Sequence, residues 1–323
     1  MIIVLRALLA LCVLVTSANA AVLERPKIGL VLSGGGTKGG AHIGVLKVLE
    51  EQGVKPDYIV GTSVGAIIGA MYASGLSAAE IRDAIGAIDW RDVLIDDPPR
   101  ATVPIEMKRG DFDYLVRSKP GFSMGQLKFP LGLSQGQKAT RILKTLLSAG
   151  AGVENFDKLA IPFRAVATSL ETGEAVVLSR GDLARSVRAS MSLPAVFAPV
   201  LIDGQYLVDG GVAANLPIDV VRDMGAQIVI AVDISSPLRN RDDINSVIDV
   251  SDQLVNIMTR RNVDEQVRTL GPRDILIKPG VSEIAILDFE RTLEAYEPGY
   301  NAASAQSERL AELARITQLP ARP

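Results

Sequence analysis

The 323-residue chain is predicted to fold as a three-layer α/β/α domain with a mainly parallel central sheet. Three observations predict it. Short apolar runs that read as buried strands alternate with longer amphipathic or apolar runs that read as helices, the pattern of βα units. Two of the early strand-to-helix junctions carry glycine-rich turns. No internal repeat or low-complexity linker divides the chain, and its 48% apolar content is enough for one sizeable core.

The N-terminus is read apart from the domain. Met1 to Val15 holds one basic residue, Arg6, followed by the apolar run Ala7 to Val15 and then Thr16-Ser17-Ala18-Asn19-Ala20. This is the pattern of a secretory signal peptide over residues 1–20, with a small-residue cleavage site at Ala18-x-Ala20. The apolar stretch is shorter than the roughly 20 residues a membrane span requires. Leu11 ahead of Cys12 does not fit a lipoprotein. Cys12 is the one cysteine and leaves with the signal, so the mature chain is expected to carry no disulfide, thiol chemistry or cysteine metal site. Export to the periplasm, the outer membrane surface or the medium is expected, with residues 21–323 forming a single domain.

Lys27-Ile28-Gly29-Leu30-Val31-Leu32 reads as the first buried strand. It is followed by Ser33-Gly34-Gly35-Gly36-Thr37-Lys38-Gly39-Gly40 and a helix from about Ala41 to Glu51. Three consecutive glycines give the backbone access to positive φ and lead into a helix N-terminus whose first N–H groups have no internal partner. Such a loop suits an anion, either a nucleotide pyrophosphate or the oxyanion of an acyl-transfer intermediate. Gly34-x-Gly36-x-x-Gly39 does match a dinucleotide fingerprint. That reading requires an acid at the C-terminal end of the second strand, and Asp57 lies at the other end. A phosphate-binding P-loop also fails, because Lys38 precedes its glycine instead of following it.

The second strand, Tyr58-Ile59-Val60, runs into Gly61-Thr62-Ser63-Val64-Gly65 and then the apolar helix Ala66 to Ala73. G-x-S-x-G between a strand and a helix is the pattern of a nucleophile elbow, which exposes the serine hydroxyl. If the first two strands are parallel neighbours, the glycine loop and Ser63 emerge at the same sheet edge. A serine needs a base within hydrogen-bond reach. The single histidine, His42, shares a helix face with Leu46 and Leu49 and reads as a packed or loop-bracing residue rather than a triad member. A carboxylate is the obvious substitute. Asp209 ends the strand-like Gln205-Tyr206-Leu207-Val208 and precedes Gly210-Gly211, which fits either a base held close to another element or a plain Asp-Gly turn.

Together the glycine loop, the serine elbow and Asp209-Gly210-Gly211 resemble the patatin-like phospholipases in order and spacing. Arg188-Ala189-Ser190-Met191-Ser192-Leu193-Pro194-Ala195-Val196-Phe197-Ala198-Pro199 resembles a further family segment, extending the likeness over about Lys27 to Lys278. With the leader, it points to a secreted bacterial member. The resemblance implies a patatin-like domain, a Ser63–Asp209 dyad and an oxyanion hole of backbone N–H groups around Gly34, Gly35 and Gly36. Lys38, Gly39, Gly61, Gly65, Gly210 and Gly211 support the motifs. Lys38 stands where arginine is frequent, and Thr37 where a small residue is frequent, so the resemblance carries over backbone donors better than side-chain ones.

The remaining elements follow in order. Ser77-x-x-Glu80 is a capping box ahead of a helix at Ile81 to Ile88, and Gln135 to Leu147 is amphipathic. Phe163 to Leu170 and Ala175 to Leu178 form a hairpin about Glu171-Thr172-Gly173. Asp182 caps a helix to Ser190, Asp203-Gly204 turns a second hairpin, and Ile228 to Asp233 and Ile275 to Lys278 are strands. Helices at Ile244 to Leu270 and Glu290 to Ile316 close the chain. Val103 to Leu133, with Phe112, Tyr114, Phe122 and Phe129, is either a cap over an acyl pocket or ordinary packing. Ile284, Ile286, Leu287 and Phe289 either pack near the site or form a subunit contact.

A formal net charge of −3 with mixed charges supports neither nucleic-acid binding nor attraction to an anionic membrane. The expected function is phospholipase A-type hydrolysis of phospholipid esters through an acyl-enzyme, with no metal or organic cofactor. The expected partner is a phospholipid or other membrane-lipid substrate, and the sequence leaves open a transient membrane-surface contact and a second copy of the chain. An esterase or thioesterase for smaller acyl groups is the alternative within hydrolases. A dinucleotide-binding protein using Gly34, Gly36 and Gly39 is the alternative from another class. The alternating strands of an attached β-barrel are not read before Pro323, so either a complete enzyme or a passenger part fits.

Overall fold

The computed structural model describes residues 25–94, 121–123, 126–128, 131–132 and 134–318. Residues 1–20, expected to be a signal peptide, and most of the aromatic-rich segment, with Phe112, Tyr114 and Phe129, lie outside the described residues. In chain order the elements are β1 (Ile28–Leu32), α1 (Gly40–Glu51), β2 (Tyr58–Thr62), α2 (Val64–Ala73), α3 (Ala78–Gly86) and α4 (Trp90–Leu94). There follow β3 (Gly121–Ser123), β4 (Gln126–Lys128), α5 (Gln137–Leu146), β5 (Phe163–Ser169), β6 (Ala175–Leu178) and α6 (Leu183–Ser190). Next come β7 (Val200–Ile202), β8 (Gln205–Asp209), α7 (Gly211–Ala214), α8 (Ile218–Asp223) and β9 (Ile228–Val232). The chain continues through α9 (Val247–Val267), β10 (Ile275–Ile277), α10 (Tyr296–Ser304) and α11 (Ser307–Gln318).

The main sheet runs β10-β9-β1-β2-β5-β8-β7, with β6 also paired to β5. From β10 to β5 every pairing is parallel, while the β5–β6, β5–β8 and β8–β7 pairings are antiparallel. Side chains alternate across each strand. Ile28, Leu30 and Leu32 of β1 therefore join one core with α1 and α2, while Val31 joins a second with Val221 of α8 and Val263 of α9. Two cores on opposite faces make three layers, as expected from the sequence.

Local signals account for several helix ends. The Ser77 side chain accepts the Glu80 N–H and the Glu80 carboxylate accepts the Ser77 N–H, a reciprocal cap for α3. Asp182 accepts the Arg185 N–H at 2.8 Å and starts α6. The helical stretch expected from Glu290 to Ile316 is a 3₁₀ segment, Phe289–Ala295, followed by α10 and α11. Pro298 falls in the first turn of α10, where its missing N–H costs no intrahelical bond.

Register along β5 brings the site together. Val166 pairs with both Thr62 and Val177, and Ala167 with both Asp209 and Val176. Since β6 takes one edge, β2 and β8 must share the other. They run toward one another along it, because β2 is parallel and β8 antiparallel to β5. Their C-terminal ends, Thr62 and Asp209, therefore sit opposite consecutive residues of β5.

Candidate active site

Ser63 follows β2 and caps α2 with φ 54° and ψ −123°. A positive φ is costly for a residue with a Cβ, and the surroundings hold it in place. The Ser63 N–H donates to Ser190 Oγ at 2.9 Å, and Ser190 Oγ–H donates to the Val166 carbonyl at 2.5 Å. The turn also requires Gly65, since a Cβ there would stand 2.2 Å from the Leu32 carbonyl oxygen. Gly61 lies against the same residue's backbone, at 2.4 Å from Cβ position to Gly65 oxygen. This is the geometry expected of a serine elbow.

Asp209 closes β8 and is buried. Its carboxylate accepts the Gly211 N–H at 2.8 Å and faces the Ser63 hydroxyl, which favours its ionised form. Burial raises its pKa from 3.8 to about 6, outweighing the Ser63 hydroxyl and the Gly211 N–H, which both act to lower it. The segment after α6 fixes the aspartate's backbone. Asp209 N–H donates to the Ser192 carbonyl at 2.9 Å and Gly210 N–H to the Ser190 carbonyl at 3.2 Å. The Arg188–Pro199 motif is thus the brace that joins the elbow to the aspartate. Arg188 itself is buried, donates to Ser192 Oγ at 2.6 Å and stacks its guanidinium 4.5 Å from the Phe197 ring centre.

The glycine loop passes beside both residues. A Cβ on Gly34 would be 3.1 Å from Ser63 Cβ, so the loop backbone runs directly against the elbow. Gly34 N–H donates to the Asn215 carbonyl at 3.4 Å, and Asn215 Nδ2 donates to the Gly34 carbonyl at 3.3 Å. Gly36 adopts φ 57° beneath the Ile286 carbonyl, where a Cβ would clash at 2.3 Å. Among the described residues, the N–H groups of Gly35 and Gly36 donate to no other group. Gly39 lies against Val64, and Gly210 against the Val166 carbonyl. The Ile286 carbonyl accepts both the N–H and the hydroxyl of Thr37, at 3.0 and 2.8 Å. A polypeptide oxygen thus stands where the dinucleotide reading needs a phosphate.

Lys38 and His42 brace this loop. The Lys38 side chain is fully buried and donates to Ser236 Oγ at 2.6 Å. His42 Nε2–H donates to the Ser33 carbonyl at 2.8 Å, while Nδ1 is buried with no partner among the described residues. Desolvation lowers the imidazole pKa to about 4, so the ring is neutral at physiological pH. Histidine as a loop brace, read from the sequence, is its position in the structure.

Three contributors were not visible in the sequence. Ser190 binds the elbow N–H, Asn215 ties the glycine loop, and α9 clamps the loop after Asp209. From α9, Thr259 Oγ1 and Asn262 Nδ2 donate to the Gly211 carbonyl at 2.9 and 3.1 Å, while Asn262 Oδ1 accepts the Asn215 N–H at 3.0 Å. Ser190 is legible only as part of the Arg188–Pro199 segment and the others are unremarkable polar residues locally; each role appears only across long sequence separations.

Ser63 and Asp209 open onto a cleft of about 1080 Å³, counted to its open mouth. Its wall is mostly apolar and includes Ile67, Ile85, Val93, Met191 and the Trp90–Phe289 pair, whose rings stack at 5.5 Å. Ile286, Leu287 and Phe289 line it, one of the two placements the sequence left open, whereas Ile284 is buried in the core. No cluster of His, Cys, Asp and Glu among the described residues has the makings of a metal site.

The fold and site define a class: an α/β protein with an elbow serine and a buried carboxylate at the end of its parallel strands, over an apolar cleft. A family model for patatin-like phospholipases matches residues 30–222, and the chain belongs to that family. Patatin-like phospholipase domain-containing protein 6 of Mus musculus is 35% identical over 222 residues, covering 68% of this chain and 14% of that protein. Lysophospholipase NTE1 of Mycosarcoma maydis is 28% identical over 309 residues, covering 85% of this chain and again 14% of the relative. The chain therefore spans a small part of these much longer proteins. Among solved structures, VipD from Legionella pneumophila has a TM-score of 0.47 at 16% identity, covering 89% of this chain and 67% of that one. Family membership supports hydrolysis of lipid esters.

Proposed function

We propose that the protein is a phospholipase A-type acyl hydrolase in which Ser63 is the nucleophile and Asp209 its base. The observation that carries this reading is the meeting of a serine held at positive φ with a buried carboxylate whose pKa is raised to about 6. An ordinary aspartate, near 4, is a poor acceptor for a hydroxyl proton, and the shift brings Asp209 closer to that task. Asp209 takes the Ser63 proton as Oγ attacks the ester carbonyl. The developing oxyanion meets the N–H groups of Gly35 and Gly36, with Gly34 holding the loop to Asn215. Each well-aimed donor contributes about 3 kcal/mol to the transition state. Collapse expels the alcohol, which takes the proton back from Asp209. Water then repeats the sequence on the acyl-enzyme.

The apolar cleft supports a long acyl chain over a small one. Arg6, the apolar run that follows it and Ala18-x-Ala20 support export of the chain. Hydrolysis of phosphatidylcholines and esters of graded acyl length tests the reading. Wild type is expected to favour long chains and Ser63→Ala to lose turnover on all of them. Equal rates on two-carbon and sixteen-carbon esters would instead identify a general esterase.

A further inference from the structure

Helix α9 is apolar on its outward face as well as its inward one. Val250, Leu254, Ile257 and Met258 recur at helical spacing and all stand exposed, Leu254 at 58%. Such a face is unusual on a helix whose other side already packs on the domain. The inward face belongs to the site: Val255, Asn256 and Thr259 line the cleft, and Thr259 and Asn262 hold the Gly211 carbonyl. Exposed Leu238 flanks the stripe, because the Arg239 N–H donates to Gln253 Oε1 of α9 at 2.9 Å. Leu287, from another segment of the cleft wall, is also exposed. Helix α9 thus carries both cleft-wall residues and an exposed apolar stripe.

We propose that the outward face of α9 docks on a zwitterionic phospholipid bilayer and sets the mouth of the cleft against it. The proposal rests on the phospholipase reading and names the surface from which that site draws its substrate. Size argues against a second copy as the occupant. The stripe exposes on the order of 300–400 Å², whereas a stable interface buries roughly 800 Å² per partner. Charge argues against an anionic surface. Arg260 and Arg261 are outnumbered on α9 by Asp249, Asp252, Asp264 and Glu265, and the whole chain carries a net charge of −3. Apolar insertion is left as the driving term, and it depends little on salt.

The test is flotation of the full-length protein carrying Ser63→Ala with phosphatidylcholine vesicles, compared with the same protein also carrying Leu254→Asn and Ile257→Asn. The Ser63→Ala protein is expected to float at both low and high salt. The two added changes are expected to lower partitioning at least tenfold. In the Ser63 background, the same two changes are expected to lower vesicle hydrolysis similarly while leaving hydrolysis of a soluble short-chain ester unchanged. Because flotation is read without turnover, failure to dock and failure to hydrolyse are separate results. Equal flotation of both proteins, or no flotation of the first, would overturn the proposal. Sedimentation showing a dimer that the two changes dissociate, without any change in flotation, would assign the stripe to a second copy.

Discussion

Asp209→Asn separates stability from turnover, and the size of the effect follows from the burial of the carboxyl. Asp209 keeps the favourable Ser63 hydroxyl and Gly211 N–H beside it, yet its pKa is raised from 3.8 to about 6 because desolvation outweighs them. A carboxyl whose pKa is raised in the folded state contributes stability that is present below the unfolded value and lost as pH rises through the folded one. A shift of about two units is worth about 3 kcal/mol once the group is fully ionised. Asparagine preserves the shape and the acceptor for the Gly211 N–H but carries no charge. Relative to wild type, Asp209→Asn should therefore gain about 2 kcal/mol between about pH 4.5 and about pH 8. Urea unfolding at the two pH values measures this directly, and the His42 contribution is common to both proteins and cancels. Turnover at the higher pH should fall at least about a hundredfold. A stability difference that does not change with pH, or one that moves against the variant as pH rises, would refute the burial argument.

Other consequences follow from the same geometry. The single imidazole should titrate by NMR with a midpoint of about 4, because His42 is buried and neutral; a midpoint near 6.5 would mean that the ring is solvated. Since its pKa is lowered, its contribution to stability is present above the unfolded value and lost as pH falls toward the folded one. Ser190→Ala leaves the Ser63 N–H and the Val166 carbonyl without their shared partner, and should cost about 1–3 kcal/mol in unfolding free energy together with a lower kcat. Gly65→Ala drives a methyl into the Leu32 carbonyl, and should lower the melting temperature and abolish esterase activity; near-normal activity would show that the elbow tolerates a displaced α2. Wild-type activity should decline as pH falls through about 6, where Asp209 takes up a proton, and a profile flat to pH 5 would contradict its role as base.

Much of the site could be read in the sequence because its signals are local. A serine between two glycines, bounded by a strand and a helix, specifies its own turn, and three glycines after a strand specify a loop that approaches another backbone. The meeting of Ser63 with Asp209 is not local. It depends on β5 accepting β2 and β8 on one edge, and on a register that sets Thr62 and Asp209 opposite Val166 and Ala167. The antiparallel entry of β8 cannot be read from the alternation of Gln205–Asp209. The roles of Ser190, Asn215, Thr259 and Asn262 could not be read for the same reason: a lone polar side chain carries no periodic signal, and each finds its partner far along the chain. The stripe on α9 was hidden differently. With apolar residues on both faces, the helix has no clean amphipathic pattern to separate the cleft wall from the exposed side.

The central claim is that Ser63 is an activated nucleophile. Reaction of the protein with a long-chain fluorophosphonate, followed by peptide mass spectrometry, tests it most directly. The account predicts one adduct, on the peptide containing Gly61 to Gly65 and at Ser63, formed more slowly in Asp209→Asn. Absence of an adduct, or an adduct confined to another serine, would contradict it.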